Sequence, residues 1–238
     1  TDLNHVMPGK RDGTAAQVYA HRLVERSGLR DFDYLLDLHT ASFGRVNSLY
    51  VRADLENAAA ANMAYALRPQ IVVHNPASDY TLRGTAAELG VPAITVEIAD
   101  PQRFQPRYVR STLSGLNAIL GQIGMVGKRT RVAGPRPIIC KRSYWLYTDH
   151  GGLLTVGVDL AEEVAKGDTV AELRTVFGDQ SRIYHAPDPG VVIGKSVDPV
   201  ARTGDRILHL GLLASDDEPY HRRADEGPQS STGSATTP

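Results

Sequence analysis

Hydrophobic residues in the first half of the chain recur in two alternating patterns. Short apolar runs typical of strands occupy 33–39, 48–52, 70–74 and 93–97. Longer segments with helical spacing occupy 15–27, 56–67, 81–89 and 107–123. Strands that alternate with helices predict an α/β layer structure with a parallel or mixed sheet. We assign this domain to residues 1–133.

The pattern changes after about residue 134, where helical spacing nearly disappears. Short β-like runs are separated by Gly, Pro and Asp turns, and they occupy 138–147, 152–156, 169–174, 181–185, 190–195 and 206–213. These runs predict a small all-β domain over 134–213, with a boundary at the Gly-Pro-Arg-Pro segment 134–137. Residues 214–238 lack apolar periodicity and are predicted to be a disordered tail.

Composition limits the classes of protein to consider. Of the 238 residues, 42% are hydrophobic, and 26 basic residues against 27 acidic ones give a net charge of -1. This balance does not favour nucleic acid or an anionic membrane as a partner. The single cysteine, Cys140, excludes a disulfide framework and favours a buried thiol in a cytoplasmic protein. The sequence leaves the oligomeric state open, a homo-oligomer included.

Two polar residues close apolar, strand-like runs. His39 ends 35–39 and Glu97 ends 93–97. If the two strands are parallel, both side chains reach the same end of the sheet, where ligands bind in open α/β folds. A histidine and a carboxylate there suit a metal-bound water and a general base. The alternative is that each residue only caps its strand. His74, which ends a third strand, is a further candidate, although it also suits a structural histidine.

Three segments carry a resemblance to a known family. The run Asp2-Leu3-Asn4-His5-Val6-Met7-Pro8-Gly9 resembles the Asp-Leu-Asn-Arg-x-Phe-Pro-Gly segment of the succinylglutamate desuccinylase/aspartoacylase family. Asp37-Leu38-His39-Thr40, followed by Gly44-Arg45, is similar to that family's Asp-Leu-His-Thr segment. The strand 93–97 resembles the strand that carries its catalytic glutamate. The order and spacing of the segments fit as well.

The resemblance implies a zinc-carboxypeptidase-like α/β domain, followed by a small β domain, that hydrolyses the amide bond of an N-acyl amino acid. It implies one Zn²⁺ per chain, expected only if the family's upstream ligands are present, with His39 as a ligand and Glu97 as the general base. Asn4, His5 and Arg83 would bind the substrate. For Arg83 the alternative is a solvated helix residue.

The chain departs from the family pattern at three points. The family's first two zinc ligands lie in a His-x-x-Glu segment upstream of the motif at which this chain begins, so we expect the gene product to extend upstream. His5 replaces an arginine that would grip a carboxylate with two parallel donors. Ala99 replaces a frequent glycine two residues after the glutamate. The alternative function is therefore a non-catalytic fragment or relative that acts as an interaction module.

The second half resembles biotinyl/lipoyl-like domains. Residues 159–172 are similar to their strand-turn-strand segment, and residues 184–192 to their later Ala-Pro-containing strand. A carrier domain would place a modifiable lysine between these segments, but 174–182 contains none. Covalent attachment of biotin or lipoate is therefore disfavoured.

Overall fold

A computed structural model describes residues 2–76, 80–127 and 135–220. The predicted domain boundary at residues 133 and 134 lies outside the described residues, as does most of the predicted tail, 221–238. Residues 214–220 are described. The Ala214 N–H donates to the Ile139 carbonyl at 2.9 Å, and the Tyr220 side chain is buried.

The first three α-helices begin at side-chain caps. Thr14 and Gln17 form a capping box at the start of the first helix, and Gly28 ends that helix with a φ of 67°. Asn57 and Thr81 accept hydrogen bonds from the first-turn amides of the second and third helices. The helices are Ala15–Ser27 (α1), Ala58–Leu67 (α2), Leu82–Glu88 (α3) and Pro106–Gln122 (α4), with 3₁₀ turns at Leu3–His5 and Leu29–Asp31.

The described chain also contains thirteen strands. The strands are Leu35–His39 (β1), Arg45–Asn47 (β2), Leu49–Ala53 (β3), Ile71–His74 (β4), Ala93–Ile98 (β5), Ile138–Tyr147 (β6), Gly152–Val156 (β7), Glu163–Val164 (β8), Thr169–Arg174 (β9), Gln180–His185 (β10), Gly190–Ser196 (β11), Val200–Ala201 (β12) and Arg206–Leu213 (β13).

The main sheet is mixed, with the order β1-β5-β3-β4-β6-β13-β11-β2 and with β8 paired to β11. Strands β1 and β5 are parallel, β3 is antiparallel to β5, and β4 and β6 run parallel to β3. The predicted α/β fold, with a mixed sheet and flanking helices, is confirmed.

The main sheet also contains strands from the second half of the chain. Strand β6 pairs with β4, and β11 pairs with β2. Only Ser48 separates β2 from β3. The last strand in the sheet order is therefore joined by one residue to the third strand in that order. Strands β10, β9, β7 and β12 form a separate four-stranded sheet. The proposal that 134–213 is an independent biotinyl/lipoyl-like domain therefore stays a prediction.

The two faces of the main sheet have different coverings. Helices α2 and α4 cover the face that carries Val51, Val72 and Val96. The opposite face carries Ala93, which packs with α3, and Tyr50, which packs with Cys140 in a separate apolar cluster. Burial of Cys140 raises the pKa of its thiol to about 12, as expected for a structural cysteine. None of the helices in the described segments combines the length and apolarity needed to cross a bilayer.

Candidate active site

His39 and Glu97 lie opposite each other on adjacent strands. The parallel register of β1 and β5 pairs Leu35 with Ala93 and His39 with Glu97. Residues paired in this way point to the same face of a sheet, and both lie at the carboxyl end of their strands. The structure therefore brings together the two residues on which the sequence hypothesis depends.

Glu97 is held on its other side by β3. Its register partner there is Tyr50, whose hydroxyl acts to lower the pKa of the carboxylate. The same hydroxyl accepts from Arg52 Nη2 at 2.7 Å, and that guanidinium lies 3.8 Å from Glu97 Oε1. Burial raises the pKa of Glu97, while Arg52 and His39 oppose the shift. A carboxylate with a raised pKa suits a general base.

His39 has a carboxylate partner on its own strand. Its Nε2 lies 2.9 Å from Asp37 Oδ2, and both side chains are largely buried. Asp37 Oδ2 is buried and has no hydrogen-bond partner by geometric criteria. The carboxylate therefore lies close to the ring without the alignment of a directed hydrogen bond. Asp37 raises the pKa of His39 against the opposing effect of burial. A carboxylate against one ring nitrogen is a common way to orient a histidine that binds a metal with the other.

A tight turn joins the loops that follow these strands. Ala99, two residues after Glu97, is buried with a φ of 51°, and its carbonyl accepts from the Ala41 N–H at 3.0 Å. Beyond this turn lies a cleft of about 550 Å³. The loops after β1, β5 and β11 supply its walls, which include Phe43, Arg45, Asp100, Gln102, Arg103 and Asp198.

Replacing Ala99 by glycine is expected to cost little stability. The left-handed conformation costs a non-glycine residue about 1 kcal/mol, which offsets the loss of a buried methyl worth about 0.8 kcal/mol. Ala93 is also buried but has no positive φ, so Ala93→Gly is the matched control. Chemical denaturation should show Ala99→Gly to be less destabilising than Ala93→Gly by about 1 kcal/mol. Equal losses would contradict a strained backbone at Ala99.

The suggestion that His74 joins this site is wrong. Strand β4 follows the direction of β3, which is antiparallel to β5, so His74 pairs with Ala53 and Ala53 with Ile94. That position is three residues from Glu97 along β5, or about 10 Å. His74 instead accepts from the Leu55 N–H at 3.1 Å and stacks on Tyr220.

The predicted substrate residues have structural contacts of their own. Asn4 Oδ1 accepts from the Leu82 N–H at 2.9 Å, which holds the N-terminal segment to the start of α3. His5 is exposed, and its Nε2 lies 3.7 Å from Asp2 Oδ2. Arg83 is buried, not solvated, and donates to the main chain and the side chain of Asn75. Their roles in substrate binding stay predictions.

Sequence reasoning missed an aromatic and basic cluster beside Glu97. The Trp145 indole stacks on His209, with ring centroids 4.8 Å apart, and His209 meets Tyr50 edge-on at 5.8 Å. The guanidinium carbons of Arg45 and Arg206 lie 5.5 Å and 5.1 Å from the centre of the Trp145 ring. Arg45 follows the segment 37–40 closely, but Trp145 and Arg206 lie about 100 and 160 residues later in the chain, so no local signal joined them.

His209 should make the stability of the fold sensitive to pH. Burial, aided by Arg52 and Arg206, lowers the pKa of His209 well below 6.5. Below about pH 6.5 the unfolded chain takes up a proton that the folded chain does not, so the free energy of unfolding falls as pH falls. The stabilisation from the neutral ring is complete above pH 6.5. Below that pH, the free energy of unfolding falls by at most about 1.4 kcal/mol for each pH unit.

The measurement is denaturant unfolding at several pH values between 7 and 5. His209→Gln removes the titrating group, and its neutral amide can still reach Ser143, which lies 2.8 Å from His209 Nε2. The variant should lose less stability than the parent over this pH range, whatever its stability at pH 7. Parallel pH curves would show that His209 does not carry the effect.

The described residues supply only part of a zinc site. His39, oriented by Asp37, fits the role of a ligand, and Glu97 lies beside it. A catalytic zinc normally has three protein ligands, and no cluster of three or more His, Cys, Asp or Glu side chains suited to a metal occurs in residues 2–76, 80–127 and 135–220. A complete site needs donors beyond this set.

The fold and the site together define an α/β protein with acid-base residues grouped at one end of a mixed sheet. The model of the succinylglutamate desuccinylase/aspartoacylase catalytic domain matches residues 1–123. That match covers more than half of the chain, which therefore belongs to this family of acyl-amino acid deacylases. No curated protein matches the chain.

Solved structures share the fold. The ectoine utilization protein EutE (DoeB) from Ruegeria pomeroyi is 21% identical with a TM-score of 0.77, over 90% of this chain and 70% of that one. A succinylglutamate desuccinylase from Silicibacter sp. TM1040 is 23% identical with a TM-score of 0.77, over 89% and 67%. A succinylglutamate desuccinylase/aspartoacylase from Rhodobacter sphaeroides is 20% identical with a TM-score of 0.75, over 91% and 69%.

Proposed function

We propose that this chain belongs to a zinc-dependent amidohydrolase that removes the acyl group from an N-acyl amino acid. The observation that carries the proposal is the pairing of His39 with Glu97 at the carboxyl ends of β1 and β5. Family membership supports the reaction class. The geometry supports the assignment of these two side chains to it.

Glu97 acts as the general base in this proposal. Its burial favours the protonated form, so the carboxylate readily takes a proton from a water molecule next to it. Arg52, which donates to the Tyr50 hydroxyl, lies 3.8 Å from Glu97 Oε1 and helps to hold the carboxylate in position. The carboxyl group can then return the proton to the leaving amine.

His39 is the proposed zinc ligand, with Asp37 as the residue that orients its ring. Bound zinc would supply Lewis acidity and lower the pKa of a water molecule towards about 7. The remaining ligands are proposed to lie outside the described residues. Asn4, His5 and Arg83 are kept as proposed substrate-binding residues on the strength of the family resemblance.

The test is zinc content measured together with hydrolysis. Purified protein is dialysed, zinc per chain is measured by elemental analysis, and release of the free amino acid from N-acetyl and N-succinyl amino acids is followed. About one zinc per chain, with release of an amino acid, is the expected result for protein that includes the family's upstream His-x-x-Glu segment. His39→Ala should reduce both, whereas His150→Ala, at an exposed histidine of the second half, should reduce neither.

Zinc near zero together with no hydrolysis would overturn the proposal for this chain. That outcome would favour the alternative, a non-catalytic relative or fragment that acts as an interaction module. Zinc retained by His39→Ala would reject His39 as a ligand even if hydrolysis were found.

A further inference from the structure

The two arginines stacked on Trp145 are held by different parts of the main sheet. Arg45 lies on β2, where it pairs with Ser196 of β11. Arg206 begins β13 and pairs with Tyr147 of β6. Because both strands are fixed by sheet hydrogen bonds, the fold itself brings the two guanidinium groups to one indole ring.

Neither guanidinium group forms a close ion pair in the part of the chain that the structure describes. Within the part of the chain that the structure describes, the Arg45 and Arg206 side chains have no hydrogen bond or ion pair, and their contacts are with the Trp145 ring. Partial burial and the charge of Arg206 lower the pKa of Arg45. Two cations that repel each other beside an aromatic ring gain stability when an anion binds between them.

This cluster adjoins the candidate active site. Arg45 lines the cleft beyond Glu97. Arg45 also lies close enough to Glu97 for the carboxylate to raise the pKa of the guanidinium. A ligand bound at Arg45 therefore lies next to the cleft and within range of the charge of the proposed base.

We propose that Arg45 and Arg206, stacked on Trp145, form a binding site for a carboxylate group of the N-acyl amino acid substrate. The identity of this ligand rests on the proposed function. Guanidinium groups bind carboxylates with paired, charge-assisted hydrogen bonds. This site would supply the grip that His5 does not offer, since His5 is exposed and pairs with Asp2.

Trp145 provides a direct measurement, because it is the only tryptophan in the chain. Its fluorescence is followed while N-acetylglycine is added to the purified chain, with no need for zinc or turnover. N-acetylglycinamide, which lacks the carboxylate, is the matched control ligand, and inorganic phosphate is the control anion. The variants are Arg45→Gln and Arg206→Gln, with Arg142→Gln on the exposed part of β6 as the control.

The expected result is a saturable change in emission with N-acetylglycine and none with the amide. Arg45→Gln and Arg206→Gln should weaken binding about tenfold or more, while Arg142→Gln leaves binding unchanged. Circular dichroism checks the fold of each variant. Should Arg45→Gln not fold, Arg45→Lys replaces it, and it is expected to weaken binding because a lysine lacks the planar fork.

Three outcomes would overturn this site: equal binding of the amide, equal or tighter binding of phosphate, or unchanged affinity in both arginine variants. Saturable carboxylate binding in a chain without zinc or hydrolysis would leave this site standing and reject the proposed function alone.

Discussion

Replacing Glu97 by glutamine is expected to reduce kcat by about 10² to 10⁴-fold in zinc-loaded protein that hydrolyses an N-acyl amino acid. The amide has nearly the same size as the carboxylate but cannot take a proton from water. Zinc per chain should stay unchanged, since His39 and not Glu97 is the proposed ligand. Steady-state kinetics and elemental analysis on the same preparation provide the two measurements.

The same substitution should leave the fold intact. Burial raises the pKa of Glu97, which means that the charged form is costly in the folded chain, and a neutral amide avoids that cost. The free energy of unfolding at neutral pH should therefore fall by no more than about 1 kcal/mol. Glu88→Gln, at an exposed position of α3, is the control. Loss of zinc along with activity would contradict the assignment of Glu97 as the base.

Replacing Gly115 by valine should produce the largest loss of stability among the variants considered. Gly115 lies in α4 where the helix crosses the end of α2. A Cβ atom at this position would lie 2.6 Å from the Leu67 carbonyl oxygen and 2.9 Å from the Leu67 Cα. These are main-chain atoms, so the two helices must move apart. Overpacking costs about 1–3 kcal/mol, and we expect at least the upper end, or a fall in Tm of roughly 6–12 °C.

Ser114→Val is the control for this experiment. It introduces the same side chain one residue earlier in α4, at an exposed position, and so tests the lower helix propensity of valine alone. Differential scanning calorimetry should show a small shift for Ser114→Val and a large one for Gly115→Val. Similar shifts for the two variants would mean that the helices do not pack closely at Gly115.

Local patterns predicted the regular elements well. Helix α1 and strands β6, β7, β9 and β13 have the predicted bounds, and the other long elements differ by one or two residues at an end. Capping residues and alternating apolar runs lie within or next to the segments that they define, so a single sequence is enough to predict the bounds of these elements. Strands β2, β8 and β12 were missed because two or three residues are too few to show a period.

Strand direction could not be predicted from the same patterns. The runs ending at His39, His74 and Glu97 look alike in sequence, yet β4 runs opposite to β1 and β5. Direction depends on how loops and distant strands pair. The same limitation applies to Arg45 and Trp145, which meet only because β2 joins strands of the second half.

Because Ser48 links β3 to β2, which pairs with β11, the two halves of the chain share one sheet, and this has a consequence for engineering. His39 and Glu97 lie on β1 and β5 of the first half, beside β3, whereas Trp145 and Arg206 lie on strands of the second half. A chimera that takes its second half from a relative would change the walls around the ligand and keep the hydrolytic pair. The chimera would then take part of its ligand-binding site from the relative and its proposed catalytic residues from this protein.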